Sequence, residues 1–204
     1  MRCVALLAAF LLAAPSRAQS AASVSAELAR LAEADQRERR AFQAGELPWE
    51  AVAAGDSARY ARVETLLGRG RVTAPADRYH AALVLQHGGG PYDFWRAYTL
   101  SRRATEDGYE DGRWLVPRAY DRWLQSLGRP QVYGTQFQSR PPDGHDPHAA
   151  HDDTSDWVWS LGQADLDAVT DAERAVWGVR PAAATRALVT CLNETGGDWD
   201  GCAD

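Results

Sequence analysis

The run Ala81-Ala82-Leu83-Val84-Leu85, set between Pro75 and the triplet Gly88-Gly89-Gly90, constrains this chain more than any other segment. Proline suits the first turn of a helix, and glycines end one. A helix that is apolar on every side cannot face water, so other elements have to enclose it. The expected architecture is helix packed on helix around this rod.

Gly and Pro punctuation divides the rest of the chain into segments of matching length. Val24, Leu28, Leu31 and Phe42 recur at helical spacing, which predicts a helix over 22–44 ended by Gly45. Pro48 opens a second helix, which Asp56 interrupts or recaps and which ends near Gly68 and Gly70. Pro91 opens a fourth, carrying Phe94, Trp95, Tyr98 and Leu100. A fifth is expected over 110–127, with Leu115, Ala119, Trp123 and Leu127 inward and Pro117 marking a kink or its true start. Thr170 with Glu173 forms a capping box for a helix over 171–178, and Pro181 starts the last. Residues 131–137 read as a short extended piece turning at Gly134, and 138–156 as a loop rich in Pro, His, Asp and Ser. These signals predict a mostly α single helical domain over 22–190, with about six to seven helices.

Residues 1–18 have the pattern of a cleavable signal peptide. Arg2 is followed by an apolar run from Val4 to Ala14, then Pro15, with the small residues Ser16 and Ala18 at the −3 and −1 positions. The run is too short to span a bilayer, which takes ~20 apolar residues. The expectation is an exported protein, periplasmic or extracellular, with no membrane contact after cleavage. Loss of Arg2 and Arg17 takes the formal charge from −6 to −8. The chain has no Lys and no basic cluster, which excludes nucleic acid as a partner and leaves an unknown small molecule or protein. Its Arg-only basic set matches the coding bias of a GC-rich genome.

Cleavage also removes Cys3 and leaves Cys191 and Cys202. An even number of thiols in an oxidising compartment predicts a disulfide, here closing a tail over 191–204. Gly196, Gly197 and Gly201 let the intervening loop fold back. The chain-entropy model gives such a bridge roughly 3 kcal/mol.

Three polar groups fall where burial is expected. Asp35, with Gln36 and Arg39, lies on the apolar stripe of the first helix; Arg39, one turn away, is its nearest pairing candidate. Gln86 and His87 follow the apolar helix. Asp121 and Arg122 lean toward the core side of the fifth, followed by Gln131, Tyr133, Thr135 and Gln136. This set, Asp35-Gln36-x-x-Arg39, Gln86-His87, Asp121-Arg122 and Gln131-x-Tyr133-Gly134-Thr135-Gln136, resembles a bacterial family known only as a domain of unknown function. A weaker likeness continues through Trp157 and Asp165 to Glu173-Arg174 and Trp177-Gly178-Val179, so that it covers most of residues 25–180. The resemblance implies a shared helical fold and polar cluster, and no reaction.

As chemistry, His87 is the acid–base candidate, with a pKa near neutrality if unperturbed. Asp35 or Asp121 would orient its ring, and Arg122 would bind an anionic group. Tyr133 and Gln136 complete the catalytic candidates; Asp35, Gln36, Gln86, Gln131 and Thr135 are binding candidates. No nucleophile motif is present, and Gly88-Gly89-Gly90 lacks the Lys and Ser/Thr of a phosphate loop. No cofactor is implied. His145, His148 and His151 could hold a transition metal, but Pro147 and the loop composition favour solvated side chains, so no metal site is assigned. Two functions follow: an exported acid–base hydrolase or lyase, or a non-catalytic binding or interaction module with Trp157, Trp159, Trp177 and Trp199 as contact surface.

Overall fold

The structure, a computed structural model, describes residues 17–141 and 157–202. The first sixteen residues and the His145, His148 and His151 segment lie outside them. Among the described residues the helices are α1 (Arg17–Gln43), α2 (Trp49–Gly68), α3 (Pro75–Leu85), α4 (Pro91–Glu106), α5 (Leu115–Ser126), α6 (Asp171–Val176) and α7 (Ala182–Glu194). One short antiparallel pair, β1 (Gln138–Arg140) and β2 (Val158–Ser160), completes the regular structure. The fold is mostly α, a single helical domain.

α3 is the central rod. Ala81 to Leu85 are all buried, and α1, α2 and α4 pack around them. The face of α4 turned inward is built of small residues, Ala97, Ser101 and Ala104, which lets its backbone come close to α3. Of its aromatic rings, Tyr98 packs against the core, while Trp95 is exposed and leans on Trp123 of α5, 4.6 Å between centroids. α1 contributes Val24, Leu28, Ala32 and Asp35, a stripe at helical spacing that is apolar until its last member.

Several expectations need correction. α2 runs without a break through Asp56, because that carboxylate faces arginines instead of the backbone. The fifth helix is split into a single 3-10 turn at Glu110–Gly112 and α5 proper. Pro117 is its third residue, where no intrahelical N–H bond is lost. Leu124, and not Leu127, faces inward, since the helix ends before Leu127. In the 131–137 piece only Gln131 makes a ladder contact, a bridge to Ala164. The strand lies one step later, in what composition marks as loop. It pairs Gln138 with Ser160 and Arg140 with Val158. Asn193 of α7 anchors that pair: the Trp159 N–H donates to its Oδ1, and its Nδ2 donates to the Trp159 carbonyl, both at 2.9 Å.

Cys191 and Cys202 are bonded, with Cα atoms 5.8 Å apart. The tail begins inside the last turn of α7, three residues before that helix ends at Glu194. No helix among the described residues is long and apolar enough to cross a membrane.

Candidate functional site

α3 ends at Leu85, so Gln86 and His87 sit where its carbonyls run out of helical partners. Arg122 of α5 meets them. Its Nη1 donates to the Gln86 carbonyl at 2.6 Å, and its Nε and Nη2 donate to Gln136 Oε1 at 3.2 and 3.0 Å. The same Nη1 lies 3.4 Å from His87 Nδ1. A guanidinium can only donate, so Nδ1 has to be the acceptor and the proton of the neutral ring sits on Nε2. That nitrogen points at Asp35, 3.6 Å from Oδ2, just beyond hydrogen-bond range. Asp35, Gln36, Gln86, His87, Arg122 and Gln136 thus form one continuous cluster, although four different stretches of chain supply them.

Asp35 is fully buried, which explains how its neighbours are arranged. Gln36 Nε2 donates to Oδ2 at 2.8 Å, while Arg39 and Arg59 approach Oδ1 at 3.5 and 3.9 Å. Burial pushes its carboxyl above the ordinary range, against the pull of Arg39 and the Gln36 bond. Arg39 has a closer partner than Asp35 in Asp56, at 2.7 Å. Arg59, 5% exposed, bridges Glu38 at 2.6 Å and Asp56 at 2.8 Å. Periodicity could have found Arg59. It stands seven residues after Val52 and seven before Leu66, on the buried stripe of α2.

The imidazole is strongly perturbed. Burial first, then Arg39, Arg122 and Arg59, bring the His87 pKa down to about 2. Burial and Arg39 likewise lower Arg122 to about 10, although Asp35 opposes them. The cluster holds an uncharged histidine between a buried carboxyl and the Arg122 guanidinium.

The other four candidates belong to an adjoining network, joined to the cluster through Gln136, whose Nε2 donates to the Thr135 hydroxyl at 3.3 Å. Asp121 does not orient His87. Its Oδ1 accepts from the N–H groups of Val132 and Tyr133 at 2.9 and 3.0 Å, and its Oδ2 from the N–H and hydroxyl of Thr135 at 2.9 and 2.7 Å. Four donors on one buried carboxylate make it the organiser of the 132–135 turn. Gln131 works from the other side: its Oε1 accepts from the Gln136 N–H, and its Nε2 donates to the carbonyls of Gln136 and Leu161. The Tyr133 hydroxyl donates to Glu173 at 2.8 Å, away from His87. Burial and that carboxylate raise its pKa.

Sequence reasoning missed Arg174, the largest side chain with no exposure. It donates to three backbone carbonyls, those of Tyr133, Val132 and Leu166, at 2.6 to 2.7 Å. Its helix is six residues long, too short for a periodic signal; only the resemblance, through Glu173-Arg174, touched it. The aromatic contact surface also needs correction. Trp157 is buried and Trp159 half-buried, and of the four tryptophans named only Trp199 is among the exposed large hydrophobics.

A cleft of about 550 Å³ opens beside the cluster, lined by Trp49, Asp56, Tyr60, His87, Gly89 and Asp93 among others. Asp93 shapes its rim. It accepts from the Tyr60 hydroxyl at 2.8 Å and the Gly89 N–H at 3.1 Å. A Cβ on Gly88 would stand 2.6 Å from that carboxylate, so glycine is needed there. Tyr133 and Gln136 do not line this cleft. No family model, curated protein or solved structure matches the chain.

Proposed function

We propose that this is an exported, non-catalytic binding protein that takes a small, uncharged polar molecule into the cleft between α2 and the α3–α4 turn. One observation carries this reading: both ring nitrogens of His87 are directed at protein groups, Nδ1 at Arg122 and Nε2 at Asp35. A ring so placed, with its pKa far below neutrality, is poorly suited to pass a proton at ordinary pH. The Trp49 and Tyr60 rings supply apolar surface in the cleft, and Asp56 and Asp93, already engaged by protein donors, supply acceptors. Export is supported by the leader-like residues 1–18 and the Cys191–Cys202 bond.

The acid–base hydrolase or lyase is the second reading, favoured by the position of His87 in the cleft wall beside Asp35. One experiment separates the two. The mature protein is incubated with extract from the producing cells, freed of unbound material and studied by native mass spectrometry. A small molecule that leaves the protein unchanged on denaturation, with retention lost in Trp49→Ala, supports binding. Release of a transformed molecule, with conversion abolished in His87→Gln, replaces binding with catalysis.

A further inference from the structure

A second cleft, of about 510 Å³, is lined in part by the 132–137 turn. Its walls come from α5, from that turn, from the α6–α7 connection and from the disulfide-closed tail. Arg118, Thr135, Phe137, Arg180, Thr185 and Trp199 are among the lining residues, and none of the lining residues is acidic. In a chain of net charge −6 that is a local inversion of sign.

The two arginines are short of partners. Arg118 donates Nη1 to the Trp114 carbonyl at 3.0 Å and rests on the Trp114 ring, which leaves its Nε and Nη2 without a hydrogen bond among the described residues. Arg180 makes neither a hydrogen bond nor an ion pair among them. Both line the same cleft, and partial burial first, and then Arg180, lower the Arg118 pKa. Asp121 is the carboxylate that acts on Arg118, and both its oxygens are turned to the backbone of the 132–135 turn. Beside the arginines stands an aromatic wall. Trp199 meets Phe137 edge to face at 5.1 Å and Trp159 at 5.5 Å. Trp199 lies inside the loop that Cys191 and Cys202 close, so the disulfide holds one side of the wall in place.

We propose that this cleft is an anion site for an organic molecule whose carboxylate or phosphoryl group sits between Arg118 and Arg180 and whose ring or apolar body lies against Phe137 and Trp199. Guanidinium groups match both anions by paired N–H donors, and a flat body complements the aromatic edges. The proposal is independent of the binding reading for the His87 cleft.

The test is calorimetric titration of the disulfide-intact protein with phenyl phosphate, benzoate and inorganic phosphate. Saturable one-to-one binding of phenyl phosphate or benzoate is expected, at least about tenfold tighter than inorganic phosphate; whichever of the two binds tighter names the anionic group. Arg180→Gln, at an exposed position where folding is not at stake, should weaken it about tenfold or more, since the paired donors of a guanidinium are lost. Trp199→Ala should weaken the aromatic anions and leave inorganic phosphate unchanged. Reduction of the disulfide should act like Trp199→Ala. If none of the three anions saturates, or if Arg180→Gln binds them as the wild type does, the site does not exist. If inorganic phosphate binds as tightly as phenyl phosphate, the aromatic wall is not part of it and the proposal fails in that form.

Discussion

The two parts of this molecule are held together by different forces. From α1 to α5 the core is apolar, built of Leu28, Val63, Ala81 to Leu85, Ala97 and Leu115 on facing helices. Among the described residues from Gln131 onward, irregular segments separate a two-stranded pair and two helices, and the buried apolar side chains are few, chiefly Tyr133, Trp157, Leu166, Leu188 and Leu192. Here three polar side chains, Asp121, Gln131 and Arg174, take the place of a ladder by satisfying backbone groups of the turn one at a time. A helix meets its own N–H and C=O groups; an irregular segment needs outside partners, and buried ones are costly to lose. Stability in the first part should depend on volume, in the second on single hydrogen-bonding groups.

The strongest challenge to that contrast is Arg174→Ala. Removing it leaves three carbonyls without their donor, and urea unfolding should show a loss of about 4–5 kcal/mol. A loss below about 1 kcal/mol would mean that packing, and not this guanidinium, holds the C-terminal part. Next comes Leu85→Ala in the centre of α3. A cavity in a fully enclosed site should cost about 3–4 kcal/mol, whereas a polar substitution such as Gln131→Glu should be worse than its volume change predicts. Equal tolerance of both would erase the distinction.

Replacing Cys191 and Cys202 together by Ser should cost roughly 2–3 kcal/mol, since the bridge closes only a short loop. Thermal melts of the double variant, followed separately by near-ultraviolet and far-ultraviolet dichroism, should lose the aromatic signal of the Trp159–Trp199 region before the helical one. Coincident curves would show that the two parts unfold as one unit.

The last effect is confined to acid pH. Folding holds the His87 pKa at about 2, against 6.5 for a solvent-exposed imidazole. Below pH 6.5 the unfolded chain takes up a proton that the folded chain does not. This contribution is therefore fully present above pH 6.5 and is lost as pH falls toward 2, at no more than about 1.4 kcal/mol per pH unit. Asp35, whose pKa is raised, works in the opposite sense, because the folded state keeps its proton to higher pH. Comparing the wild type with His87→Gln isolates the histidine: the variant should lose less stability between pH 6 and pH 4. Parallel pH curves would show that the ring is not buried neutral.

Much was legible before the fold. The all-round apolar run at Ala81–Leu85, the glycines after it, the capping Thr170 and the pair Cys191 and Cys202 are local signals. Helices repeat every 3.6 residues, caps act within one turn, and a short loop brings its ends together by itself. The same periodicity marked Asp35 and Arg122 as polar groups on buried faces, each of which needs partners within the fold. Two of the misplacements have a common cause. Asp56 looked like a helix break because only the neighbouring helix supplies Arg39, which turns it into an ion-pair partner. Asp121 looked like a partner for His87 because adjacency to Arg122 suggested a common destination, yet neighbours on a helix point about 100° apart.

What the amino-acid sequence determined by itself was the set of helices, the central rod, the crosslink and the identity of the groups that would be costly to bury alone. What only the tertiary structure decided was which of those groups meet. It gave His87 to Asp35 and Arg122, and Asp121 to the 132–135 backbone. It also paired Gln138–Arg140 with Val158–Ser160 across a long connection, and brought Arg118, Arg180, Phe137 and Trp199 to one cleft. The reason is one of range. Periodicity and capping are enforced by contacts within a turn or two, while the partner of a polar side chain on an irregular segment is chosen by how distant surfaces pack, and no local repeat encodes that.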